Sequence, residues 1–132
     1  MHPFIKSGLA VLAGIFVGGI VNFGIIILSS SIIPPPNGVD VSNIESIKTN
    51  IHLYKPIHFL FPFLAHALGT FSGAVLAIKI SKQTKIAYMV ALVFLYGGIS
   101  MITQVPSPMW FTVLDLGLAY IPMAWLATKI SS

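Results

Sequence analysis

An imidazole stands in the middle of an apolar run at His66, within Phe63-Leu64-Ala65-His66-Ala67-Leu68-Gly69-Thr70. A carboxyl does the same at Asp115, within Val113-Leu114-Asp115-Leu116. Histidine changes charge near neutral pH, and beside a carboxylate it can hold or pass a proton, or hydrogen-bond a ligand. Asn22 and Tyr96 are further polar groups set in apolar stretches. His66, Asp115, Asn22 and Tyr96 are therefore the candidate ligand- or proton-binding residues. The plainer role for the same groups is structural: His66 bonding Asp115 or a backbone carbonyl would lock helices together.

Other chemistries are excluded by what the chain lacks or how it is spaced. It has no cysteine, hence no disulfide, thiolate metal site or cysteine nucleophile. All seven basic residues are lysines, so bidentate guanidinium recognition is absent. No HExxH, glycine-rich phosphate loop or nucleophile elbow occurs, and the chain does not read as an enzyme. His52, His58 and His66 do not share a helical face, and no third ligand sits at suitable spacing, so no metal is expected. Asp40, Asn43 and Glu45 fall short of the six or more oxygens that calcium takes. No cofactor is implied.

The elements that must position these groups are membrane spans. With 56% hydrophobic and 8% charged residues, the 132-residue chain lies far from a soluble domain, in which about a quarter of residues are charged. A membrane-crossing helix needs roughly 20 apolar residues. Four segments qualify, at 8–30, 57–80, 86–104 and 109–130, making one all-α four-helix domain over residues 1–132. The first run is too long for a cleavable signal and reads as a retained span. Lys6, Lys79, Lys82, Lys85 and Lys129 fall at the ends that the positive-inside rule assigns to the cytoplasm, with both termini. The lysines thus fit membrane orientation and not nucleic-acid binding.

The outer loop, residues 32–56, carries written order. Pro34-Pro35-Pro36-Asn37-Gly38 reads as a stiff stretch and a turn. Ser42-Asn43-Ile44-Glu45 fits a capping box in which Ser42 caps and Glu45 reaches back. Ile44, Ile47 and Ile51 then predict a short amphipathic helix on the outer membrane face. Tyr54, Phe59 and Trp110 read as interfacial belt residues.

An internal repeat is visible. Ala74–Ser81 and Ala124–Ser131 agree at six of eight positions at a constant offset of fifty, and Phe61/Phe111 and Leu68/Leu118 match in the same register. This predicts two tandem helical hairpins of like orientation. Counting at 1.5 Å per residue places Asn22, His66, Tyr96 and Asp115 roughly 9–15 Å below the outer surface. Gly14, Gly18 and Asn22 form one stripe, Pro62, His66, Gly69 and Gly73 another, and Thr112, Asp115, Ala119 and Pro122 a third. Gly14/Gly18 and Gly69/Gly73 are GxxxG pairs, expected to let helices approach closely.

The segments "SIIPPPNGVDVSNIESIKTNIH", "HFLFPFLAHALGT" and "PSPMWFTVLDLGLAYIPMAW" resemble an uncharacterised family of small bacterial four-helix inner-membrane proteins. The resemblance runs from about Val21 to Trp125 and implies four spans in a bacterial inner membrane, with no activity and no catalytic residue to carry over. The expectation is a non-enzymatic integral membrane protein. It would act as a small binding or accessory subunit, self-associating or docked on a larger membrane complex. The alternative is a small oligomeric transporter or proton conduit using His66 and Asp115.

Overall fold

The computed structural model describes residues 1–131. Helix α1 spans Pro3–Ile32, α2 Ile44–Asn50, α3 Leu60–Ser81, α4 Ile86–Gln104, α5 Met109–Leu118 and α6 Ile121–Ser131. Short 3-10 turns at Ile51–Leu53 and Pro56–Phe59 lead into α3. Four stretches, Pro3–Ile32, Pro56–Ser81, Ile86–Gln104 and Met109–Ser131, are long and apolar enough to cross a bilayer, as a multi-pass membrane protein requires.

Two boundaries differ from the hydropathy reading. The first helix starts at Pro3, five residues before the apolar run at Gly8, because proline suits the first helical turn and His2 Nδ1 accepts the Phe4 N–H at 3.1 Å. The fourth stretch is not one helix, since α5 ends at Leu118 and α6 begins at Ile121. Pro122 has no N–H to return to the Leu118 carbonyl, and its ring crowds that carbonyl. The chain bends at Ala119-Tyr120, and both residues are buried in the bend.

Small residues set the packing. The most extensive helix contact is between α1 and α3, and α3 also packs on α4 and α6. A Cβ built on Gly14 or on Gly18 would stand 2.5 Å from the carbonyl oxygen of Gly73 or Gly69 respectively, so the two backbones touch. Ala74, Ala77, Ala124 and Ala127, which pair at an offset of fifty in the sequence, are all fully buried. Ala74, Ala124 and Ala127 join Ile78, Ala87 and Ala91 in one core cluster, while Ala77 packs with Ala10, Ile86 and Val90. Within a bilayer such faces associate through close packing, because lipid tails are as apolar as the side chains.

The ends of the bundle differ in charge. The start of α1 and the α3–α4 turn meet at one end, tied by Gln83 Nε2 donating to Ser7 Oγ at 3.0 Å. Lys6, Lys79, Lys82, Lys85 and Lys129 lie at this basic end. At the loop end, the cap of α2 is Asn43 and not Ser42: Asn43 Oδ1 accepts from the N–H groups of Glu45 and Ser46. Ser42 instead donates both its N–H and its hydroxyl to Asp40 Oδ1. Asparagine is as good a cap as serine, and the aspartate two residues earlier claims the serine. Phe59 and Phe111 are buried against each other at 4.7 Å between ring centroids, with Trp110 edge-on to both, so Phe59 is a core residue and not part of a belt.

The glycine contact and the Asp40 turn each yield a test. Gly18→Ala should lower the midpoint of thermal unfolding in detergent by the equivalent of about 1–3 kcal/mol, the usual cost of overpacking. Gly19→Ala, where a Cβ meets nothing within 4 Å, should not lower it. The Ser42 hydroxyl, then its N–H, hold the Asp40 carboxyl below its ordinary value. The stabilisation of this turn is present above the ordinary carboxylate range and is lost as pH falls through the lowered value. NMR titration should show the Asp40 midpoint rising toward the ordinary value in Ser42→Ala.

Candidate functional site

The polar layer forms where α1, α3, α4 and the α5–α6 bend meet. Asp115 lies on the last two turns of α5 and is 5% exposed. His66 Nδ1 lies 2.9 Å from Asp115 Oδ1 and 3.0 Å from Oδ2. With Asp115 as a carboxylate, which only accepts, Nδ1 is the donor of this bond. The Tyr120 hydroxyl donates to Asp115 Oδ2 at 3.3 Å, and the Tyr120 ring stacks on the His66 imidazole at 5.9 Å between centroids. Three side chains from α3, α5 and the bend thus make one hydrogen-bonded unit around a buried carboxylate.

Backbone geometry makes room for it. A Cβ on Gly98 of α4 would lie 2.5 Å from the Tyr120 hydroxyl, so only glycine there lets the ring in. The Tyr120 ring is 1% exposed and packs with Ala67 and Ala119. Beyond the pair is a cleft of about 240 Å³, lined by Asn22, His66, Phe94, Gly97, Met101 and Tyr120, among others. Gly97 and Met101 lie on the exposed side of α4, so the cleft opens sideways from the bundle. His66 has spent Nδ1 on Asp115, and its side chain also lines the cleft. Asn22 Oδ1 is buried with no hydrogen-bond partner.

Three of the four sequence candidates come together. His66 and Asp115 are bonded, and Asn22 shares the cleft wall with His66. Tyr96 does not join them: it is 76% exposed on the outer side of α4. Its depth matches the layer, but its helical phase turns it away. The tyrosine of the site is Tyr120, which spacing alone misses, because on an unbroken helix a residue five positions past Asp115 points off its face. The available signal was Pro122, which predicts a break just where a tyrosine sits too deep for an interfacial belt.

The other singled-out groups are spent locally. Thr112 hydrogen-bonds Ser107 at 2.7 Å, and Ser72 donates to the Gly69 carbonyl at 3.2 Å. Thr70 Oγ1, fully buried, has no partner. His58 Nδ1 accepts the Lys55 N–H at 2.8 Å and so caps the turn into α3. Asp40 and Asn43 turn oxygens inward to Ser42, Glu45 and Ser46. Among the described residues no three His, Cys, Asp or Glu side chains converge as metal ligands would.

Toward the basic end the apolar core clusters comprise Ala10, Ala74, Ala77, Ile78, Ile86, Ala87, Val90, Ala91, Ala124 and Ala127, and Thr70 and Ser81 are buried polar residues of the same half. The chain matches no family model, no curated protein and no solved structure. What the site does follows from its own residues.

Removing one partner from a buried charged bond leaves the other desolvated, at a cost of about 1–3 kcal/mol and more for an ion. His66→Ala should therefore destabilise the bundle more than Tyr120→Phe, which removes one of several donors. In a double-mutant cycle by thermal unfolding, Asp115→Asn should couple with His66→Ala; simple additivity would show that the pair adds nothing to stability.

Proposed function

We propose that this chain is a non-enzymatic integral protein of a bacterial inner membrane, with its basic end cytoplasmic, and that it works as a small binding unit through the His66–Asn22–Tyr120 cleft. The observation that carries the reading is the division of labour on one imidazole. Nδ1 is pinned to the buried Asp115 carboxylate, while the same side chain lines an open cleft. A purely structural lock needs no cleft. In the neutral imidazole with Nδ1 protonated, Nε2 is the ring's acceptor, while Asn22, whose Oδ1 is itself buried, lines the same wall. A group that donates hydrogen bonds, such as a hydroxyl, amide or ammonium, is the complementary partner. Phe94 and the Tyr120 ring supply apolar walls for the rest of it.

The sideways opening suits a molecule or a partner helix arriving within the bilayer. Most of α1 is uncovered, with Leu12, Phe16, Ile20 and Phe23 exposed, which leaves room for self-association or docking on a larger membrane complex. Conduction is the weaker reading. Toward the basic end His66 faces a core mainly of alanine, valine and isoleucine, in which the buried Thr70 and Ser81 lie about 16 Å apart along α3, too far for direct transfer between them.

Gly97→Leu tests the binding reading, because a Cβ on Gly97 meets nothing within 4 Å and a leucine there fills the cleft without forcing the helices apart. Mild-detergent extraction and native mass spectrometry should find a small molecule or a stoichiometric protein on the wild type, lost from Gly97→Leu at unchanged thermal stability. Recovery of the bare chain from both would count against binding. Proteoliposomes should show no proton flux above empty vesicles; flux abolished by His66→Ala would establish the conduit instead.

A further inference from the structure

The basic end carries a second groove, remote from the cleft, between the start of α1 and the start of α4. It encloses about 390 Å³ and is bordered by Phe4, Ser7, Gly8, Gln83, Lys85 and Met89. Its polar side is ordered: Gln83 Nε2 donates to Ser7 Oγ at 3.0 Å, and Gln83 N–H donates to Ser81 Oγ at 3.1 Å. Lys85 stands beside that pair, exposed, as the residue preceding the first turn of α4. The other side is apolar and uncovered, with Phe4 80% and Met89 51% exposed. At Gly8 a Cβ would meet nothing within 4 Å, so the missing side chain leaves open space between the two helices.

Charge decides what belongs there. Five lysines lie at this end and no acidic side chain does, since Asp40, Glu45 and Asp115 are all in the loop-end half. We infer that this groove is a binding site for an anionic phospholipid of the surrounding bilayer. The headgroup phosphate would lie on the Lys85 ammonium, within reach of the Ser7 and Gln83 polar groups, and an acyl chain along Phe4, Gly8 and Met89. A basic group between helix ends at the level of the headgroups, continuous with an apolar furrow running into the hydrocarbon, matches that amphiphile at both ends. A soluble phosphate would use only the lysine and leave Phe4 and Met89 bare. The inference needs the four helices to span a bilayer but does not depend on the His66 cleft.

Delipidated full-length protein in detergent, titrated with phosphatidylglycerol or phosphatidylcholine and read by native mass spectrometry, tests it. The wild type should retain phosphatidylglycerol with an affinity higher by about fivefold or more, the increment expected of one well-placed lysine near an anionic headgroup. Lys85→Gln should erase the preference, whereas Lys79→Gln, at the same end but outside the groove, should leave most of it. Gly8→Leu keeps every charge and fills the furrow, and it should weaken retention of the same lipid. Thermal unfolding of each variant checks that it is folded. Equal retention of the two lipids, equal effects of the Lys85 and Lys79 changes, or indifference to Gly8→Leu would each overturn the site and leave diffuse attraction to lysines. Competition by inorganic phosphate as effective as that by the lipid would overturn the lipid assignment.

Discussion

Everything in the bundle depends on how closely α1 can approach α3. At Gly14–Gly73 and Gly18–Gly69 there is no space for even a methyl group, and each helix rests on the other's carbonyl oxygens. In lipid no hydrophobic force drives helices together, so contact of this kind, repeated along a face, is what holds them. It also fixes register. Asn22 lies one turn beyond Gly18, and a Cβ on Gly69 would stand 3.0 Å from the Asn22 Cβ. The turn of α3 carrying His66 is thereby set beside Asn22, and the position of the cleft follows from the glycines.

The second constraint is the buried carboxylate. A lone ionised aspartate inside a membrane costs at least about 2.5–3.5 kcal/mol. Hydrogen bonds to a charged group return about 1.5–3 kcal/mol each. With the His66 and Tyr120 donors both in place, Asp115 is tolerated at 5% exposure. The requirement reaches into the backbone: the Pro122 break lets Tyr120 turn in, and Gly98 leaves the space that its hydroxyl occupies.

Much of the site is legible in the amino-acid sequence. His66 and Asp115 share a depth, each lies on a stripe of small residues, and an embedded ionisable group must find a partner, so their meeting is close to a physical necessity. Asn22 follows from the stripe of Gly14 and Gly18. Tyr96 shows where depth misleads. It lies at the right level, but α4 is packed through Ile86, Ala87, Val90 and Ala91, a face that leaves position 96 outside. The cap of α2 falls one residue from its expected place because Ser42 and Asn43 are both good caps, and only the position of Asp40 decides between them.

By itself the amino-acid sequence determined the number of apolar stretches, their lengths, the lysine-rich and loop-rich ends, and the residue types that must avoid lipid. These are local properties, settled by hydropathy and by the cost of leaving a charge unpaired. The tertiary structure alone decided that Tyr120 and not Tyr96 completes the layer, that the fourth stretch bends at Ala119-Tyr120, and that two unfilled spaces, one at His66 and one at Lys85, lie between helices. Those depend on the rotation of each helix about its axis and on the gaps left where glycines face no neighbour. Such quantities arise only when helices distant in the chain pack together.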